Sequence, residues 1–250
     1  MASGARPWRS ADNEKDEKVE MTRAGQSPER LGFLTDAVLA IAMTLLVIEI
    51  PRPEGEEFDA TPHTSGAQAA SHLWHFLVHE AGAFYSYVLA FFVLWIVWRQ
   101  HHTVLDRLSH VPGTMMTLHF PFLLLAGFLP FATAIMGQHP GNPLAGSLFG
   151  LVVFLLMLCR SGIQTEAARM DRLSDDTHRS VRHLESAVSW VVTGYWGLTL
   201  LIAWWTPWVQ VLWFLSGAVG HAFARLARCR VTLHEVSAAA PDVRERDSTS

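Results

Sequence analysis

The sequence predicts an all-α membrane protein with six transmembrane helices and both termini on the cytoplasmic side. Three observations lead there. Half of the 250 residues are hydrophobic and only 17% are charged. The apolar residues gather into runs of roughly 17 to 23, the length of helix that crosses a hydrocarbon core about 30 Å thick. The arginines and lysines fall in every second loop.

Residues 1–27 mix lysine, aspartate and glutamate with no repeated apolar face and are expected to be a disordered cytoplasmic tail. They hold no apolar h-region, so no cleavable signal peptide is expected. A six-helix transmembrane domain follows over 28–230, with apolar runs at about 31–50, 82–98, 115–136, 144–163, 184–206 and 207–227. The segment 51–72, with Pro51, Pro53 and Pro62, reads as an external polar loop, and His72 to His79 as a short amphipathic lead-in to the second span. The charged stretch 164–185 is expected to be helical at both ends, extending the fourth and fifth spans. Trp205 to Trp208 leaves room only for a tight turn, so the last two spans form an antiparallel hairpin. Residues 231–250 read as a flexible cytoplasmic tail. Cys159 and Cys229 lie near predicted cytoplasmic helix ends, where a disulfide framework is not expected.

Orientation follows the lysine and arginine asymmetry. Arg23 and Arg30 precede the first span, Arg99 and Arg107 follow the second, and Arg169, Arg172, Arg179 and Arg182 follow the fourth. Arg225, Arg228 and Arg230 follow the sixth. The opposite loops hold Arg52 against Glu54, Glu56, Glu57, Asp59 and Glu80, and no lysine or arginine at 137–143 or at Thr206-Pro207. The chain is thus expected to be a multi-pass protein of a cell membrane.

The first span carries the most information. Leu34, Val38, Ile41, Leu45 and Ile48 recur at steps of four and three and form one narrow branched stripe on a helix. In a bilayer, where lipid is as apolar as leucine, such a stripe can face lipid, pack on neighbouring helices or line a constriction shared by several subunits. Asp36 stands inside the same span, and a charge there normally faces protein or water and is paired. The ionisable residues at matching depth on another span are Arg99, His101 and His102, so a network of Arg30, Thr35 and Asp36 with those histidines is expected.

At this point the residues resemble a known family. The stretch R30-L-G-F-L-T-D36 and the apolar helix after it are similar to the first-helix signature of the transmembrane protein 175 family of potassium channels. W98-R-Q-H101-H102 and L129-P-F-A-T133 resemble two further family motifs in the same order and spacing. Leu34 stands where the family has an aromatic residue, Thr35 where it has serine, and Ala132 where it has proline. The likeness covers about the first 140 residues; the last three spans match in number and character only.

The resemblance implies a potassium-permeable cation channel, not an enzyme, in which first helices from a homotetramer line a central pore in a prokaryotic plasma membrane. It implies that Ile41 forms the narrowest apolar ring, that Leu45 and Ile48 form further pore-facing layers, and that Thr44 is linked to selectivity. It places Arg30, Thr35, Asp36 and His101 in a network holding the helices together at the cytoplasmic end. The implied partners are potassium ions, the lipid bilayer and further copies of the chain, with no nucleic acid, cofactor or metal. The acidic residues Glu49, Glu54, Glu56 and Glu57 stand at the expected outer mouth.

Other readings of the same residues compete. A secondary transporter would move protons or metal ions through membrane histidines and carboxylates. A membrane hydrolase would use His101, His102 and Asp106. T193-G-Y195 matches part of a potassium-channel filter but lies in a continuous apolar run, and the filter needs exposed backbone carbonyls. His72, His75 and His79 share a spacing suited to surface ion contacts, and His119, inside the third span, is expected to be buried with its hydrogen bonds satisfied.

Overall fold

A computed structural model describes residues 27–106, 108, 111–170, 176–206 and 208–225. The two expected tails, residues 1–26 and 226–250, and with them Cys229, lie outside the described residues.

Helix α1 runs over Pro28–Ile48. Its start is written in three residues: the Ser27 hydroxyl accepts from the Arg30 amide at 3.4 Å, Pro28 takes the first helical position, and Glu29 sits in the first turn. Pro51 cannot follow an α-helical residue without a clash, and the helix ends before it. The external segment is more ordered than its composition suggests. A short 3₁₀ turn, Glu56–Phe58, follows Gly55, whose φ of 127° is open to glycine alone. Helix α2, Gly66–His79, begins six residues before the expected His72. A capping box explains the earlier start: Ser65 Oγ accepts from the Gln68 amide while Gln68 Oε1 accepts from the Ser65 amide.

Helices α3 (Ala81–Leu105), α4 (Gly113–Gln138), α5 (Pro143–Met170) and α6 (Asp176–Ala203) complete the main bundle. Five helices are long and apolar enough to cross a membrane: α1, α3, α4, α5 and the Leu184–Ala203 part of α6. The sixth apolar run is helical in two pieces, α7 (Val209–Phe214) and residues 216–225. At Leu215 the amide turns back to the Leu212 carbonyl at 2.8 Å, a tight i−3 bond, and Leu215's own carbonyl then accepts from Val219 at 2.9 Å. The interruption is therefore a local tightening of the helix.

Helix α4 is the spine, packed against α1, α3 and α5. Met115, Phe122, Ala126, Leu129 and Met136 along it are fully buried. It crosses α3 at Gly137, where an added Cβ would lie 2.5 Å from Ser86 Oγ and 2.9 Å from the Ala83 Cα. Backbones meet there because the contact residues are small, the usual means of helix association in a membrane. On the far side, α5 and α6 are joined by hydroxyls: Ser161 Oγ lies 2.6 Å from Ser189 Oγ and 2.8 Å from Thr193 Oγ1. The Trp196 and Trp213 rings stack at 5.4 Å, and Trp213 Nε1 donates to Thr199 Oγ1 at 3.0 Å.

Large apolar side chains cover the outside as well, among them Phe120, Leu124, Leu198, Leu201 and Trp205. In water such a surface would drive association; around long apolar helices it is the face a bilayer requires. The molecule is an all-α, multi-pass membrane protein.

Candidate functional site

Helix α1 has two apolar stripes with different surroundings. Leu31, Thr35, Leu39, Ala42 and Leu46 are buried against α3 and α4. The second stripe is Leu34, Val38, Ile41, Leu45 and Ile48. At about 100° per residue it is centred roughly 100° around the helix from the first. Within one chain it is left largely uncovered: Ile41 is 58% exposed and Ile48 57%. Thr44 is exposed too, and its hydroxyl donates to the Ile41 carbonyl at 2.8 Å, so it is satisfied within its own helix.

One end of α1 is tied to α3. Trp98 Nε1 donates to Asp36 Oδ1 at 2.9 Å. His102, one turn further along α3, places Nδ1 3.6 Å from Asp36 Oδ2 and Nε2 3.5 Å from Asp106 Oδ2. The imidazole lies between two carboxylates and stacks on Trp98, ring centroids 5.8 Å apart. Asp36 thus has the partners that a carboxylate inside an apolar helix requires.

The other residues of the expected network are placed differently. His101, 3% exposed, points away from Asp36 toward α4. Its Nε2 lies 3.3 Å from His119 Nε2, its ring stacks on Phe122 at 4.9 Å, and His119 Nδ1 is held by the Met115 carbonyl at 2.7 Å. The separation has a simple cause: adjacent residues on a helix point about 100° apart. Thr35 is buried with no hydrogen-bond partner for its hydroxyl among the described residues. The Arg30 side chain is exposed and has no ion-pair partner among the described residues. His101, His102 and Asp106 therefore do not converge on one point, as a hydrolytic site would need.

In α4, Pro130 and Thr133 of the L129-P-F-A-T133 stretch lie inside the helix and are buried. Thr133 Oγ1 donates to the Leu129 carbonyl at 2.8 Å, one helical turn back. T193-G-Y195 lies within continuous helix α6, with the Thr193 hydroxyl occupied by Ser189 and Met157 carbonyls. Among the described residues no group of three or more His, Cys, Asp or Glu side chains is arranged to hold a metal ion. Glu49, Glu54, Glu56 and Glu57 are all exposed beyond the end of α1 opposite Asp36.

Two features escaped the sequence reading. One is Trp98 as the direct partner of Asp36: a tryptophan near a span end reads as an interfacial anchor, and only packing shows where its N–H points. The other is Arg160, buried in α5. Its signal was available, since an arginine inside an apolar run of spanning length is costly unless it serves a purpose.

The chain is similar to known proteins. Residues 30–130 match the family described as endosomal/lysosomal potassium channel TMEM175. A potassium channel of Streptomyces collinus is 26% identical over 150 residues, 58% of this chain and 67% of the relative. A potassium channel of Chamaesiphon minutus is 24% identical over 163 residues, 64% of this chain and 74% of the relative. The crystal structure of a lysosomal potassium-selective channel TMEM175 homolog from Chamaesiphon minutus superposes with a TM-score of 0.54 at 20% identity, covering 81% of this chain and 97% of that one. At that identity the superposition speaks for the fold.

Proposed function

We propose that this chain, whose residues 30–130 match the TMEM175 family and which is similar to bacterial and cyanobacterial potassium channels, is a member of that family and a potassium-permeable cation channel. Four copies assemble around an axis on which their first helices meet, each subunit contributing six spans with both termini in the cytoplasm. The sixth span is the broken helix over 209–225.

The observation that carries this reading is the uncovered stripe of α1. A helix packed inside its own subunit on one face, with a second narrow branched stripe left bare beside it, is suited to a second contact with its symmetry mates. Brought together, four Ile41 side chains make a short apolar constriction, with Leu45 and Ile48 as further layers toward the outer side. Water leaves such a constriction readily, and an ion cannot cross it without its hydration, so small movements of α1 gate the pore by wetting and dewetting. Asp36, held by Trp98 and His102 below the ring, sets the tilt of each α1. Thr44 faces the side of the stripe and is the residue placed to tune selectivity. The exposed carboxylates of the outer segment raise the local cation concentration at the mouth.

The test is potassium flux from liposomes holding the purified protein under a potassium gradient. A channel passes potassium down its gradient with no counter-ion requirement. Flux that depends on a coupled proton or metal ion points to a transporter, and no potassium flux at any pH removes the channel reading.

A further inference from the structure

Among the described residues Arg160 is the one buried side chain with a permanent charge, at 6% exposure in the middle of the bundle. A guanidinium keeps its proton and presents five N–H donors in a planar fork. Here Nη2 reaches Gln164 Oε1 at 3.4 Å and Nη1 reaches the Met157 sulfur, a weak acceptor, at 3.9 Å. Among the described residues these are its side-chain contacts, one of them to a weak acceptor, in a place where an unmatched charge is costly.

Arg160 lines a cavity of about 510 Å³ between α3, α5, α6 and the helical residues 216–225, a volume within the roughly 300–1,000 Å³ range of small-molecule sites. Val93, Ile96 and Val192 line it toward the bilayer centre, while at the arginine-rich end the polar Gln100, Gln164 and Arg99 stand among the apolar Val104, Leu184 and Ala224. Gln100 also lines this wall, with Oε1 buried and unpartnered among the described residues; it is the Nε2 end of the amide that can donate to an anion. Among the described lining residues one acid, Glu185, stands against two arginines, Arg99 and Arg160.

We infer that this cavity binds a phosphate group, gripped by the Arg160 fork and the side-chain amides of Gln100 and Gln164, with the apolar wall receiving any attached hydrocarbon. Guanidinium and phosphate match in a bidentate geometry, which is why arginine is the usual residue for this task. The phosphate can come from an anionic lipid headgroup entering from the inner leaflet or from free phosphate in solution, and the apolar part of the wall suits the former. The site lies on α3 roughly 155° around from Trp98 and His102, so a ligand there bears on the helix that holds Asp36 from its other side.

The experiment is thermal unfolding of the purified full-length chain in detergent, with short-chain phosphatidylglycerol, inorganic phosphate, or diacylglycerol of the same chain length added. A bound phosphate raises Tm by roughly 5–10 °C at ligand a hundredfold above its Kd. A rise with phosphatidylglycerol alone assigns the site to a lipid; a rise with inorganic phosphate as well assigns it to the phosphate group wherever it comes from. Arg160→Lys keeps the charge and loses the fork, and Gln100→Leu removes one amide at the wall; both should weaken the shift at least tenfold in ligand concentration. No shift with either phosphate compound, an equal shift with diacylglycerol, or an unchanged shift in both variants overturns the inference. No ion flux enters the readout, so the result stands apart from the channel reading.

Discussion

The two sides of the bundle are held by different means. On one side α5, α6 and α7 are interlocked: Ser161 bonds to Ser189 and Thr193 in the interior, Trp190 Nε1 donates to Thr165 Oγ1 at 3.0 Å nearer the surface, and Phe149 packs at a tilt on the buried Trp196–Trp213 stack. On the other side α1 is held by one apolar stripe and, at one end, by Asp36. The first arrangement has many bonds that must break together before anything moves. The second resembles a hinge: a helix fixed at its base and resting on a smooth face can tilt at modest cost. The subunit thus has one half tied by polar bonds across its interior and one half held by an apolar face and a single polar anchor, and the second carries the stripe proposed to line the pore.

Mutations separate the two halves by what they change, and the largest effect belongs to the interlocked one. Trp213→Ala empties a fully buried site against Phe149 and Trp196 and is expected to cost about 3–5 kcal/mol. Thermal unfolding in detergent should show the loss, while any protein that still folds keeps its ion selectivity. A selectivity change in that variant would blur the division. Asp36→Ala comes next. It leaves the Trp98 N–H without its acceptor and His102 with only Asp106 nearby, at a cost of about 1–3 kcal/mol. The effect should appear as weakened assembly on native mass spectrometry and altered opening, more than as lost folding. Asp36→Asn keeps an acceptor for Trp98 and should do less; a normal tetramer with normal current in Asp36→Ala removes the anchoring role. Ser161→Ala is the smallest change, because Thr193 retains the Met157 and Ser189 carbonyls. About 0.6 kcal/mol is expected, and a much larger loss would show that the hydroxyls act as a unit.

The legible and illegible parts of this molecule divide along the same line as local and non-local physics. Five of the six expected spans could be read because each apolar run must satisfy its own backbone within the bilayer, and α1, α3, α4, α5 and the Leu184–Ala203 part of α6 overlap their runs; the sixth run forms two shorter helical pieces. The start of α2 was misplaced because Ser65 and Gln68 cap it through a reciprocal pair of hydrogen bonds, a signal drowned by the prolines and acids before it. The break at Leu215 stands just before Ser216-Gly217, a pair that loosens helices, but a glycine within an apolar run does not by itself mark an interruption.

At the candidate site the stripe of α1 was visible as periodicity, but periodicity could not say which side faces the bundle. Leu39 and Ile41 are equally apolar; packing buries one and bares the other. Nor could it divide the labour of His101 and His102. Their separation by one residue means that only one can reach α1, and the choice falls to how α3 sits between α1 and α4. Residue types alone would have sent either to Asp36.

The central claim is that the bared stripe of α1, and Ile41 above all, lines an ion pathway. Single-channel recording of the wild type beside Ile41→Asn tests it most directly, with Leu201→Ser on the exposed face of α6 as the control. A polar ring at Ile41 wets the constriction, so Ile41→Asn should raise conductance or lower the preference for potassium over sodium, while Leu201→Ser leaves both unchanged. Identical current and selectivity in wild type and Ile41→Asn would place Ile41 outside the pore and contradict the account.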